Sequence, residues 1–175
     1  DEETGLTGAG GLSTEWLKSD ILLNFDDEDE GEFCIGCAGG IDTTVAIDYT
    51  TRLCPASENA YRIKVSGLKG GHSGDDINKG LGCANKMLAR ILWNATEKCK
   101  IGLARIDGGN LRNAIAREAW ADVVVTPELD GDLQALVTDF RNHLTFEFRS
   151  TEPGLTVEIT PIEVPELLID RQTQY

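Results

Sequence analysis

The chain has 175 residues, 41% of them apolar, enough for one core of ordinary size or a core with an appendage, which excludes a short disulfide scaffold and a disordered tail. Thirty acidic residues against 16 basic ones set the formal net charge at −14, so most of the surface repels phosphate backbones and anionic lipid, and neither nucleic acid nor a membrane is expected as a partner. No stretch approaches the roughly 20 apolar residues that cross a bilayer, and the start carries no basic-then-apolar signal, so the expected compartment is the cytoplasm.

The first residues, Asp1-Glu2-Glu3, follow no methionine, and Asp170 to Tyr175 has no terminator character; both ends read as cut. Residues 9–18 read as a short helix started through small residues and Ser13, with Trp16 and Leu17 as apolar anchors. Ile21 to Phe25 is a short apolar run that stops abruptly in acid and reads as a buried strand. The acid is Asp26 to Glu32, six carboxylates in seven residues. A solvated loop is the plain account of such a run, because six like charges are costly to hold together without a cation or solvent.

Cys34-Ile-Gly-Cys37 fits C-x-x-C, but with no second pair and no nearby histidine it reads as two strand residues before it reads as a zinc or redox site. The five cysteines form an odd, scattered set of the kind reduced thiols make. Asn94-Ala-Thr96 matches a glycosylation acceptor, but it falls in a helical run of a chain without a secretion signal, where chance accounts for it.

After Gly39-Gly40 the pattern alternates. Val45, Ile47 and Tyr49 share one face of an expected strand, and Tyr61, Ile63 and Val65 share one face of the next, with Arg62 and Lys64 turned away. These two are expected to pair antiparallel across a loop at Arg52 to Asn59. A long helix is expected from about Asp75 to Trp93, with Ser73 and Asp76 at capping-box spacing and Ile77, Leu81, Ala84, Leu88 and Leu92 on one stripe. Strands follow at Ile101 to Ile106 and Ala119 to Val125, flanking Gly108-Gly109-Asn110. A second helix from Asp132 to Leu144 aligns Leu133, Leu136, Val137, Phe140 and Leu144, and Leu155, Val157 and Ile159 alternate in a last strand before Pro161 and Pro165.

The order β-β-α-β-β-α-β predicts an α+β fold, an antiparallel sheet with both helices on one face. The opposite face or a free edge is left for something else to cover, such as a second copy.

Three clusters could carry chemistry. Asp1-Glu2-Glu3 runs into a glycine-rich helix start, and the acid at Asp26 follows a strand end, where ligands of open α/β sheets bind, so the two could face one metal pair. Acidic surface is the plainer alternative. Gly67-Leu68-Lys69-Gly70-Gly71-His72-Ser73-Gly74 is a loop of four glycines that can approach a ligand closely and presents one imidazole ahead of a helix. A phosphate loop is its rival, but Lys69 precedes the glycines where G-x-x-x-x-G-K-[ST] needs it after them. A lone histidine is more often structural, yet this one has no apolar face to fill.

Four stretches, Asp1 to Ala9, Leu22 to Gly40, Gly67 to Gly74 and Gly108 to Ile115, taken in that order, resemble the aminoacyl-histidine dipeptidases, also called Xaa-His or cytosol non-specific dipeptidases, a branch of the M20 metallopeptidases. The resemblance implies a catalytic α/β domain holding two bridged zinc ions and an inserted lid domain of antiparallel sheet and helices. Residues 1–36 would be a β-α remnant of the former and 37–175 the lid, of dimerisation type and incomplete at its C-terminus.

Carried over by motif, Glu2 resembles the general base, Glu3 and Asp26 resemble metal ligands, and His72 resembles the lid histidine that reaches the scissile carbonyl on closure. Asn113, in a stretch resembling Asn-x-Ile-Pro, resembles a second substrate contact, and Arg117 a contact to the substrate carboxylate. Ala116 stands where the family has proline, which predicts a softer turn. The implied partners are a dipeptide substrate and a second copy paired through the lid sheet.

The family's His-x-Asp motif, its bridging aspartate before the Glu-Glu pair and its C-terminal histidine ligand are absent. His72 and His143 are the sole histidines. Zinc prefers about four ligands that include N or S, so the expectation is a segment without catalysis of its own. The rival from another class is a stand-alone dimerisation or binding module in which His72 merely caps a turn. An acidic calcium site at 26–32 ranks last, for want of the D-x-[DN]-x-[DN]-G rhythm.

Overall fold

The structure, a computed structural model, describes residues 7–21, 23, 31, 35, 36, 39, 41 and 43–174. Contacts divide the chain into two compact units, Asp1–Val45 and Ala46–Tyr175. In the first unit, helix α1 (Thr7–Gly10) is followed by a 3-10 turn at Thr14–Trp16, which Ser13 caps by accepting the Glu15 N–H. The expected helix over 9–18 is thus two short pieces, and Trp16 and Leu17 are exposed rather than anchoring. The expected strand Ile21 to Phe25 falls largely outside the described residues, as do Cys34, Cys37 and Asp26 to Glu30.

The second unit has the expected α+β architecture. Its core is the succession β2 (Asn59–Ser66), α2 (Ala84–Cys99), β4 (Gly102–Gly108), β6 (Ala119–Val125), α3 (Asp130–Glu147) and β7 (Thr156–Pro161). The four strands form an antiparallel sheet in the order β4-β6-β2-β7, so each helix connects two parallel strands with a third strand between them. Register explains the faces. Ile63 lies opposite Ala121 and Ile159, and Val65 opposite Ala119 and Val157, all turned to the helices. There they meet Leu88, Ile91, Leu92 and Ala95 of α2 and Leu133, Leu136, Val137 and Leu144 of α3 in one core. The stripe expected for α3 is the buried one, with Phe140 packed at its margin.

Two elements differ from expectation. The first turns of the expected helix at Asp75 are a 3-10 turn, Ile77–Lys79, ended by Gly80 in the left-handed region at φ 65°, and α2 starts only at Ala84 and runs on to Cys99. The apolar periodicity bridges this break, but a left-handed residue cannot sit inside a right-handed helix. Ile77 and Trp93, on either side of the true buried stripe, are exposed.

The expected strand over Val45 to Tyr49 is absent as well. Residues 43–50 are irregular, and those three side chains are exposed. Pairing begins at β1 (Thr51–Leu53), whose antiparallel partner is the late β8 (Leu167–Ile169) rather than β2. A strand needs a neighbour's N–H and C=O groups along its whole length, and β8 supplies three residues of them.

The helix-free face is not the open apolar surface that the sequence suggested. At one end Ala60, Val124 and Leu168 make a small second core with Cys54, Ala104 and Ile162 packed against it. Elsewhere it is a charged ladder. Arg62 donates to both carboxylate oxygens of Asp122 at 2.7 and 2.8 Å, Lys64 pairs with Glu118, and the guanidinium groups of Arg62 and Arg105 lie 3.9 and 4.9 Å from the Trp120 ring centroid. A second copy seated on this face would have to desolvate those charges. Part of the β4 edge is already taken, because the Gln174 side chain accepts from the Leu103 N–H and donates to the Ile101 carbonyl.

Candidate functional site

The glycine-rich loop and the 108–117 segment, far apart in sequence, are joined at one end of the sheet. Gly71 and His72 form β3, which pairs antiparallel with Ala114 and Ile115 (β5), and the Ser73 N–H donates to the Asn113 carbonyl at 2.8 Å. His72 and Asn113 therefore stand on adjoining backbone. The 109–117 turn is tied to the start of α2 at Ala116. Ala116 is buried, and its carbonyl accepts the Ala84 N–H at 2.9 Å, one of the otherwise unpaired donors at the start of α2.

Within the loop, Asp76 does the holding. Its carboxylate accepts the His72 N–H at 2.7 Å and the Lys79 ammonium, and its own N–H donates to the His72 carbonyl. The Lys79 ammonium, and after it the His72 N–H, hold the Asp76 carboxyl below its ordinary pKa. The proposed capping partner Ser73 plays no part in this. Asp76 instead closes a turn around the histidine.

The His72 side chain is half exposed, and its Nδ1 accepts from the N–H groups of Gly74 at 3.1 Å and Asp75 at 3.3 Å. With two N–H donors aimed at Nδ1, the neutral ring carries its proton on Nε2. Among the described residues Nε2 has no partner, so the loop presents one N–H donor outward.

Arg117 is partly committed. Its Nε donates to the Leu68 carbonyl at 3.3 Å, and its aliphatic stem lies over Gly70, leaving no room for a side chain there. The terminal guanidinium nitrogens carry no bond among the described residues. They stand at a cleft of about 800 Å3 whose lining includes Lys64, Gly71, Asn110, Ile115 and Trp120.

Of the residues singled out in the sequence, the structure thus brings His72, Asn113 and Arg117 to one end of the sheet, while Glu2, Glu3 and Asp26 lie outside the described residues. Among the described residues no three His, Cys, Asp or Glu side chains converge to hold a metal ion. His143 is exposed on α3. Sequence reasoning missed Asp76 as a clamp and missed Glu152, a carboxylate with 2% exposure that accepts the N–H groups of Lys69 and Gly82, both at 2.8 Å. The capping-box spacing marked Asp76 for another role, and nothing local marks Glu152; a Glu-Pro-Gly stretch after a helix reads as an ordinary turn.

Residues 60–163 match the family model for the M20 peptidase dimerisation domain. The chain belongs to that family. It is 43% identical over 156 residues to the cytosol non-specific dipeptidase of Escherichia coli K12, a match covering 89% of this chain and 32% of the relative. It superposes on the crystal structure of the aminoacylhistidine dipeptidase of Vibrio alginolyticus with a TM-score of 0.82 and 40% identity, over 99% of this chain and 36% of that one. The resemblance that the four motifs carry is therefore borne out, and the chain spans about a third of the length of these relatives. No described helix is long and apolar enough to cross a membrane.

Proposed function

We propose that this chain is the lid-bearing part of a cytoplasmic dipeptidase that hydrolyses Xaa-His and other dipeptides, in which residues 37–175 form the lid and residues 1–36 belong to the catalytic domain. The observation that supports this best is the backbone joint between the two lid motifs, which sets the outward Nε2–H of His72 beside Asn113. A donor held in place before the reaction stabilises charge that develops on the scissile carbonyl oxygen, because no reorganisation is needed when the charge appears. Arg117, with its terminal nitrogens uncommitted at the cleft, would receive the carboxylate of the dipeptide.

The remaining chemistry is assigned by motif. Glu2 would take the proton of the attacking water, and Glu3 and Asp26 would be ligands of a zinc pair. Such a pair, when bound, lowers the pKa of its water towards neutrality. The family's His-x-Asp motif, its bridging aspartate and its C-terminal histidine ligand are missing from these 175 residues, so the segment alone is expected to be inactive. Homodimerisation, proposed from the family's character, would use a sheet edge rather than the charged face.

The test is hydrolysis of an Xaa-His dipeptide, with zinc supplied, by the whole polypeptide and by residues 1–175 alone. Turnover by the former and none by the latter is expected. A whole polypeptide that fails to cleave any dipeptide would remove the reading and favour a binding module.

A further inference from the structure

We infer that Glu152 is the positioning residue of the His72 loop, acting on the histidine through the backbone at both ends of the loop. This role rests on the dipeptidase reading only where turnover is concerned. Glu152 has 2% exposure, so a charged carboxylate here is costly unless its oxygens are bonded. Both are. One oxygen accepts the Lys69 N–H and the other the Gly82 N–H.

Those two amides bracket residues 70–81, the segment that carries His72, its Asp76 clamp and the 3-10 turn. One carboxylate therefore closes the neck of a compact surface loop whose ends must lie close together. The turn that carries Glu152 is itself seated against that neck. The carbonyl of Gly154 meets Gly67 so closely that a Cβ there would lie 2.0 Å from it, and the Glu152 N–H is anchored on the Phe148 carbonyl. On its other side the neck is tied to the second motif, through Arg117 to Leu68 and Ala116 to Ala84. With Glu152 loosened, the loop can open from its neck, so that the bonds the His72, Gly74 and Asp75 N–H groups make within it break more often while the sheet core keeps its own contacts.

The near-isosteric Glu152→Gln isolates this role, since an amide offers one acceptor and one donor group where two N–H donors converge, so one neck bond must be lost. Amide exchange by NMR on the chain reads the result. The N–H groups of His72, Gly74 and Asp75 should exchange about tenfold faster in the variant, relative to those of Ile63 and Val123 in the central strands. Glu152→Asp, too short to reach both amides, should give the same pattern and serves if the amide variant does not fold.

Equal acceleration in sheet and loop, or acceleration at Lys69 and Gly82 without any at His72, Gly74 and Asp75, would overturn the assignment. In the whole polypeptide, Glu152→Gln should lower kcat about tenfold with KM within about twofold. A KM rise at constant kcat would also contradict it. Absent turnover in the unmodified protein would count against the dipeptidase reading alone, leaving the exchange result to judge the clamp.

Discussion

Val65, one residue from the end of β2, has no exposed surface, whereas the side chain of His72, on a loop leaving the same strand, keeps half of its surface in solvent. The sheet and helices are held by apolar area removed from water, and the two motif turns by a handful of directed bonds: Ser73 to Asn113, His72 to Asp76, Ala84 to Ala116, and Glu152 to Lys69 and Gly82. Burial is cumulative and tolerant in direction. Directed bonds contribute little each, but they fix where a donor points. Stability and chemistry should therefore respond to different substitutions in this molecule.

The sharpest way to break that separation is from the core side. Leu88→Ala, in the second turn of α2 and fully buried, should cost about 3 kcal/mol of unfolding free energy in urea titration, with the denaturant slope unchanged. A loss below about 1 kcal/mol would mean that the helix layer is not the source of stability. From the other side, His72→Ala removes an exposed ring and should leave the same free energy within about 0.5 kcal/mol. In the whole polypeptide it should nonetheless lower kcat about 100-fold with little change in KM, as the oxyanion role proposed for it requires. Were His72→Ala to unfold the protein and spare turnover, the division between the two regions would be the wrong way round.

The same division decides what could be read from the sequence. Periodicity found β2, β4, β6, β7 and the buried stripe of α3, because a side chain facing the core must be apolar at every second or every third to fourth position. It misplaced the start of α2, where Ile77 and Leu81 extend the apolar rhythm past a left-handed Gly80, and it gave Val45, Ile47 and Tyr49 a strand that no described residue pairs with. Periodicity reports that a face exists, not that a partner strand does. The exposed loop position of the histidine was legible because four glycines around one imidazole have no use in a core. The clamps around it were not, since Asp76 sits where a capping box would place it and Glu152 is separated from its loop by most of the fold.

A smaller effect sharpens the account of the helix-free face. Its chemistry is polar but ordered, with Arg62 bonded to Asp122 and stacked on Trp120 while its side chain stays 40% exposed. Arg62→Ala should lower stability by about 1 kcal/mol, part of it recoverable in Arg62→Lys, which keeps the charge but not the fork or the flat stacking. A loss several times larger would place that face among the supports of the fold. Sedimentation of the variant should match the unaltered chain if copies pair through an edge, and a change in mass would point to the charged face instead.

The gentlest probe is acid, applied where directed bonds hold the periphery to the sheet. Asp170 follows β8 and accepts from the Thr173 hydroxyl and N–H, the Gln172 N–H, and the Thr50 hydroxyl and N–H. These donors, the Thr173 hydroxyl foremost, hold its carboxyl at about 2, below the ordinary 3.8. Because the folded value is the lower one, the stabilisation is complete above pH 3.8 and is lost as the pH falls through about 2. The carboxyl 13C signal should titrate there, and Thr173→Val should move it upward. Gln174, in the short helix α4 (Arg171–Gln174) that Asp170 caps, also holds the Leu103 N–H at the β4 edge. The Leu103 amide shift should therefore follow the Asp170 titration while the Val123 amide in β6 stays still, which separates a bond-held margin from a burial-held centre within one sheet.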